Sequence, residues 1–194
     1  QHSLALRSDG IVVGFGQNNY GQTSIPVLPG GVTYTAVAAG RIHSVLLRSD
    51  GNAVAFGYNG NGQINVPALP GGVTYTQVAC GYDNTLYLKS DGTTVGAGYN
   101  YSGTLNLPAL PAGKVYTKLS LGQYHSASLR SDGVIIGRGF GPCGGVDLNP
   151  PAGQVFTDVS SGRYHRLALT LDGKISAYGS SGNGVLDVPV LQEG

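Results

Sequence analysis

The chain has 194 residues, enough to bury one substantial core. Only 11% of them are charged, and 11 Lys and Arg against 10 Asp and Glu leave a net charge of +1. So even a balance excludes a strongly basic nucleic-acid binder or an electrostatic membrane binder. The 33 glycines follow no Gly-X-Y period, which excludes collagen, and no apolar run approaches ~18 residues, which excludes a membrane-spanning helix.

Residues 1–31 begin inside a hairpin, QHSLALRSDG then IVVGFG, and continue through the turn QNNYGQ to TSIPVLPGG. Residues 32–72 form the fullest copy: VTYTAVAAG, the hairpin GRIHSVLLRSDGNAVAFG less its first Gly, and YNGNGQINVPALPGG. Residues 73–113 repeat it, residues 114–153 repeat it one residue short, and residues 154–194 repeat it to VLQEG. The Asp-Gly pairs fall at 9–10, 50–51, 91–92, 132–133 and 172–173, spaced by 41, 41, 41 and 40 residues. Asp-Gly between apolar runs is a hairpin signal, because Gly supplies the positive φ that the turn needs. No linker or composition shift interrupts the array, so 1–194 reads as one domain of five repeats.

Each repeat predicts three strands and a shorter fourth. The first is YTxVAxG, with Tyr34, Ala36 and Ala38 alternating against Thr35, Val37 and Ala39. The second is the HSxxL run and the third the VxxFG run. The fourth is IPVL, INVP, LNLP, VDL or VLDVP, with Pro at its end or edge. Four short strands every ~41 residues is the arithmetic of an all-β propeller blade, whose apolar faces need neighbouring blades to cover them. A closed five-bladed ring is the favoured arrangement, with Val185–Pro189 completing a blade beside residues 1–15. An open arc, or part of a longer array, is the alternative. An arc exposes sheet faces that another chain must cover, which makes self-association an expectation in that case.

The pattern GxxHSxxLxxDGxVxxFGxNxxGQ, carried here by Gly40, His43, Ser44, Leu47, Asp50, Gly51, Val54, Phe56, Gly57, Asn59, Gly62 and Gln63, resembles the regulator-of-chromosome-condensation repeat. The resemblance runs through essentially the whole chain. Repeat 3 departs at Asn84 and Thr104, and repeat 4 at Arg138 and in its following turn. The short period and the VPxLPxG connection are similar to the bacterial β-lactamase-inhibitor propeller of this repeat style. The resemblance implies a β-propeller, usually of seven blades, which at ~41 residues each would need about 287.

Two columns of polar residues recur. His2, His43, His125 and His165, with Asn84 in the third repeat, stand at one point of each blade. Each is read as a strand-starting residue satisfied by a neighbouring hydrogen bond, and no metal is expected. Arg7, Arg48, Lys89 and Arg130 each precede an Asp by two residues, which reads as a solvated turn rather than a phosphate track. Cys80 and Cys143 fall at different points of their repeats and make no zinc spacing. They read as inert thiols, with a bridge as the alternative. The absence of Met, even at position 1, predicts a processed chain or a piece of a longer one, and Gln1 with few charges fits a secreted protein.

No copy of Ser, His or Asp stands out as an activated nucleophile, and no carboxylate pair offers acid–base chemistry. The chain is therefore read as non-catalytic and without a cofactor. What varies between repeats is the loop before the His column and the loop after the third strand. These supply Tyr20, Arg41, Tyr58, Tyr82, Asp83, Tyr99, Tyr101, Gln123, Tyr124, Arg163 and Tyr164. A strict framework with changing Tyr- and Arg-rich loops is how a rigid scaffold presents binding residues. The expected function is a scaffold that engages a protein partner through loops on one face. A carbohydrate-binding propeller is one alternative. An enzyme with a site on the irregular repeat 4, around Arg138 and Cys143, is another. No nucleic-acid partner is expected.

Overall fold

Each Asp-Gly pair closes an antiparallel hairpin in the computed structural model, which describes residues 1–100, 102–141 and 143–189. Repeat 1 contributes β1 (His2–Leu6) and β2 (Val12–Gly16). Repeat 2 contributes β3 (Tyr34–Ala39), β4 (His43–Arg48) and β5 (Ala53–Gly57), and repeat 3 contributes β6 (Tyr75–Cys80), β7 (Asn84–Lys89) and β8 (Thr94–Gly98). Repeat 4 supplies β9 (Tyr116–Leu121), β10 (His125–Arg130) and β11 (Ile135–Gly139), and repeat 5 supplies β12 (Phe156–Ser161), β13 (His165–Thr170) and β14 (Ile175–Gly179). The described residues thus form one two-stranded sheet and four three-stranded sheets, all antiparallel, with the His-column strand in the middle of each three-stranded one.

The turn of repeat 2 shows why Gly is required. Gly51 sits at φ +80° and its N–H donates to the Arg48 carbonyl at 3.0 Å, while Arg48 N–H donates to Asn52 O at 2.9 Å. The turn also joins neighbouring repeats, because Tyr75 N–H donates to the Gly51 carbonyl at 2.8 Å. Asp50 accepts from Asn52 N–H within the turn and pairs with Arg48. The pairs Arg7–Asp9, Lys89–Asp91 and Arg130–Asp132 repeat the arrangement at 2.7, 3.4 and 2.8 Å. As expected, this cation column is neutralised locally, and such solvated pairs contribute about 0–1 kcal/mol each.

The predicted fourth strand is not a strand. Its place is taken by a coil in which Ser24 N–H donates to Gly21 O and Ile25 N–H to Thr23 O. Pro26 and Pro29 have no N–H to give to a ladder. The coil is held instead by the next repeat: the Tyr34 hydroxyl donates to Pro26 O at 2.7 Å, and Tyr75 and Tyr116 do the same to Pro67 O and Pro108 O. Where repeat 4 loses a residue from this connection, Phe156 replaces the Tyr, and the connection is held instead by the Ile135↔Leu148 bridge and by Asp147, which accepts from Gly137 N–H and Arg138. The strict alternation expected in the first strand is also corrected. A bulge between Tyr34 and Ala36 shifts the register, so Tyr34 and Val37 face the preceding repeat together, while Ala36 and Ala38 face the following one.

Four core clusters lie between successive repeats. Leu46, Tyr34 and Val12 join repeats 1 and 2; Val45, Leu47, Tyr87 and Val78 join 2 and 3; Leu86, Leu88, Leu119 and Ile136 join 3 and 4; Ala127, Leu129, Phe156 and Val159 join 4 and 5. Among the described residues, no cluster, ladder or hydrogen bond joins repeat 5 to repeat 1. Val13 is 47% and Phe15 57% exposed, although their counterparts Val54 and Phe56 pack in the core. At the other end Leu167, Leu169 and Ile175 border an open apolar hollow. Among the described residues no cluster, ladder or hydrogen bond carries the expected packing of Val185–Pro189 against residues 1–15, so closure of the ring is not shown.

Candidate functional site at the axial end of the repeats

The register places both variable loops at the same end of every hairpin. His43 lies opposite Gly57, Asn84 opposite Gly98, His125 opposite Gly139 and His165 opposite Gly179. Tyr58 N–H donates to Ile42 O at 3.0 Å, and Tyr99 N–H to Asp83 O at 2.9 Å, so the loop before the His column and the loop after the third strand are tied together. The Asp-Gly turns lie at the opposite end.

The first Gly of the GxxH motif marks the inner edge. A Cβ on Gly40 would stand 2.2 Å from the His43 ring and 2.9 Å from the Gly81 carbonyl of the next repeat. The same crowding recurs between Gly81 and Gly122 O at 2.9 Å and between Gly122 and Gly162 O at 2.5 Å. Successive backbones meet here without side chains, and that curvature forms a hollow of about 870 Å³. Tyr20, Arg41, Tyr82, Gln123 and Arg163, one from each repeat in order, line it.

Of the side chains expected to bind, those five share the cavity. Beside it, Tyr82 and Tyr124 lie with centroids 6.3 Å apart, and Tyr124 stacks with Tyr164 at 6.5 Å. Tyr58 meets Tyr20 edge to face at 5.1 Å. Arg41 stands over the Tyr82 ring at 4.2 Å and Arg163 over the Tyr164 ring at 4.9 Å. Arg163 Nε also donates to Gln123 Oε1. Asp83 is half-buried behind Arg41. Burial raises its carboxyl above the ordinary value, with Arg41 opposing the shift. Tyr99 is exposed at the rim, and Tyr101 lies outside the described residues. Gln17, Asn19 and Ile42 also line the cavity, although sequence reading did not single them out as binding residues. Gln17 and Asn19 belong to the variable turn before Tyr20, which was the available signal.

Two members of the His column, His2 and His43, are consumed between blades, whereas the buried His125 Nε2 has no partner among the described residues. His2 Nε2 lies 2.7 Å from Ser44 Oγ, which donates to Gln22 O; His43 Nε2 lies 3.0 Å from Thr85 Oγ1, which donates to Gln63 O. Since each hydroxyl proton is directed at a carbonyl, each imidazole Nε2–H is the donor to that hydroxyl. Burial first, and then the neighbouring His2, push His43 down to about 4; burial and Arg166 push His125 down to about 4. The motif's Gln is also structural, since the buried Gln22 and Gln63 accept from Tyr20 N–H and Asn61 N–H.

Repeat 4 keeps this inter-blade plug by other means. Gln22, Gln63 and Thr104 sit against Gly57, Gly98 and Gly139; at Gly179 the plug is Cys143, whose thiol donates to Tyr164 O and Tyr178 O, both at 3.3 Å. Burial raises that thiol above its ordinary value. Both cysteines are free. Arg166 replaces the Ser or Thr of this column, lies fully buried and donates to Val146 O at 2.6 Å. Arg138 is satisfied as well, through Asp147 at 2.8 Å and the Gly137 carbonyl.

The family model for the regulator of chromosome condensation (RCC1) repeat matches residues 1–22 and 34–63. No curated protein sequence matches. Among solved structures, human WBSCR16 superimposes with a TM-score of 0.81 at 21% identity, covering 96% of this chain and 61% of that one. Prp20p from Saccharomyces cerevisiae gives 0.77 at 18% identity, covering 98% and 58%. The CRINKLY WD40 ectodomain of the Arabidopsis thaliana receptor kinase ACR4 gives 0.71 at 21%, covering 92% and 65%. The chain spans about three fifths of the length of the first two. Residues 1–22 and 34–63 thus match the RCC1 repeat, and the stacked antiparallel sheets share the β-propeller fold of these structures.

Proposed function

We propose that the axial end of the array is a binding surface for a protein partner. The observation that carries this reading is the cavity's composition. Five successive repeats each supply one side chain, Tyr20, Arg41, Tyr82, Gln123 and Arg163, while the repeated His2, Ser44, His43 and Thr85 beside them are used up in inter-blade hydrogen bonds. Aromatic and Arg side chains held on a rigid edge make effective anchors for a protein. Prp20p has been studied for binding to Gsp1p and histones, and Kap60 has been solved bound to yeast RCC1, so propellers of this fold engage proteins.

Sugar binding is less well served, because Arg41 and Arg163 already cover ring faces of Tyr82 and Tyr164 on which a sugar would stack. An enzymatic site on repeat 4 is also poorly served. Cys143 is buried, protonated and committed to two carbonyls, and Arg138 is paired. The test is panning of a random peptide display library on the chain, with Tyr82→Ala and Tyr164→Ala as comparators. Enriched peptides that bind the parent and lose at least about tenfold on Tyr82→Ala support the reading. Peptides that bind both equally, or no enrichment, overturn it.

A further inference from the structure

The charge on this face indicates the chemistry of its partner. Of the 11 Lys and Arg, eight lie within 4 Å of an Asp carboxylate, the longest pair being Lys114–Asp132 at 3.9 Å. A ninth, Arg166, is buried between repeats 4 and 5. The two that remain, Arg41 and Arg163, are exposed, have no carboxylate within 4 Å among the described residues, and line the same cavity; Asp83, half-buried, acts on Arg41 only from beyond that distance. No Asp or Glu lines that cavity.

Both guanidiniums are already oriented. Arg41 rests on Tyr82 and Arg163 on Tyr164, and Arg163 spends only Nε on Gln123. The terminal nitrogens of each remain available for the forked pairing that a planar guanidinium makes with a carboxylate. Stacking on Tyr reduces the side-chain freedom lost when a partner arrives. Every other exposed Lys or Arg among the described residues is paired with an Asp, so these two are not part of a general basic surface.

We infer that the axial cavity receives an acidic segment of a protein partner, with Asp or Glu carboxylates paired to Arg41 and Arg163. This rests on the protein-binding reading above. A nucleic acid is disfavoured by the same census: a phosphate backbone is held by a track of cations, and two on a chain of net charge +1 do not make one.

The experiment is fluorescence anisotropy on the purified chain with three labelled decapeptides, alternating Gly with Glu, Gln or Lys, and with a labelled oligothymidylate. Arg41→Gln and Arg163→Gln are compared with Arg48→Gln at the opposite end. The Glu peptide is expected to bind at least about tenfold tighter than the Gln peptide at about 50 mM salt and to weaken at about 300 mM. Arg41→Gln and Arg163→Gln are each expected to cost about fivefold or more, and Arg48→Gln nothing. Equal binding of the Gln or Lys peptide, tighter binding of the oligonucleotide, no binding of the Glu peptide at about 1 mM, or indifference to both Arg substitutions overturns the inference. The display-selected peptides separate the two failures. If they are not acidic yet lose binding on Tyr82→Ala, the protein-binding reading stands and the acidic partner falls. If none binds this face, both fall.

Discussion

His43 is fully buried, its Nε2 committed to Thr85 and its Nδ1 without a partner. A second ring proton would be buried, and the Asn84 backbone offsets only part of that cost. In the unfolded chain His43 takes up its proton as pH falls through 6.5; in the fold it does so only near 4. The stability this histidine contributes is complete above pH 6.5 and is lost progressively as pH falls to about 4. A separation of about 2.5 units corresponds to roughly 3 kcal/mol. His125, held down to about 4 by burial and Arg166, adds a similar loss over the same window. His2, also lowered, contributes in the same direction. Asp50, Asp91, Asp132 and Asp172 are all lowered from 3.8, so their losses come at more acid pH; Asp83, raised by burial, works in the opposite direction. The perturbation is His43→Asn, a residue that the third repeat already accommodates as Asn84. Urea unfolding, followed by Tyr fluorescence because the chain has no Trp, is measured between about pH 7 and pH 4. The parent is expected to lose on the order of 6 kcal/mol across that range, and His43→Asn about half as much. Identical pH dependence in the two proteins would refute the reasoning.

Gly51→Val places a Cβ 2.6 Å from Thr74 Cβ at a φ of +80°, so it should lower stability by about 2 kcal/mol or more in the same unfolding assay. An unchanged midpoint would remove the turn from the inter-repeat contact. Tyr75→Phe deletes the hydroxyl that holds Pro67 O and should cost about 1 kcal/mol by the same measurement; no change would mean that the connection is held by packing alone. Arg166 keeps Nε and Nη1 unpartnered while buried, so Arg166→Met should leave stability unchanged or raise it by about 1 kcal/mol. A loss of several kcal/mol would show that the buried cation is compensated. The Cys143 thiol should resist alkylation until the chain unfolds, and prompt labelling of the native protein would contradict its role as an inter-blade plug.

The repeat was legible because its determinants are local. Asp-Gly turns, apolar runs and the GxxH spacing each specify a hairpin within about twenty residues, and the turn, register and cation–Asp pairs follow from them. The errors came from contacts between repeats. IPVL reads as a strand on composition, but Pro26 and Pro29 deny it a ladder and the Tyr34 hydroxyl, from the next repeat, takes its carbonyl. Thr35 reads as part of an alternating strand, and the bulge that breaks the alternation is visible only in the pairing with β4. Closure depends on the curvature of each interface, which no single repeat encodes. At the site, the variable loops were legible because their residues change while their neighbours do not. That Arg41 and Arg163 would rest on Tyr82 and Tyr164 and share one hollow was not, since those pairings depend on how four interfaces place successive loops. Cys143 stands where other repeats carry Asn61 and Ser102, and its substitution for the Gln plug became apparent only against Gly179.

The central claim is that the axial end, and not the Asp-Gly end, meets the partner. Hydrogen–deuterium exchange of the chain with and without a display-selected peptide tests it most directly. The account predicts added protection at the amides around Arg41 and Ile42, Tyr82 and Asp83, Gln123 and Tyr124, and Arg163 and Tyr164, with the turns at Gly51, Gly92 and Gly133 unchanged. Protection confined to those turns, or to the exposed end faces around Val13 and Leu169, would contradict it.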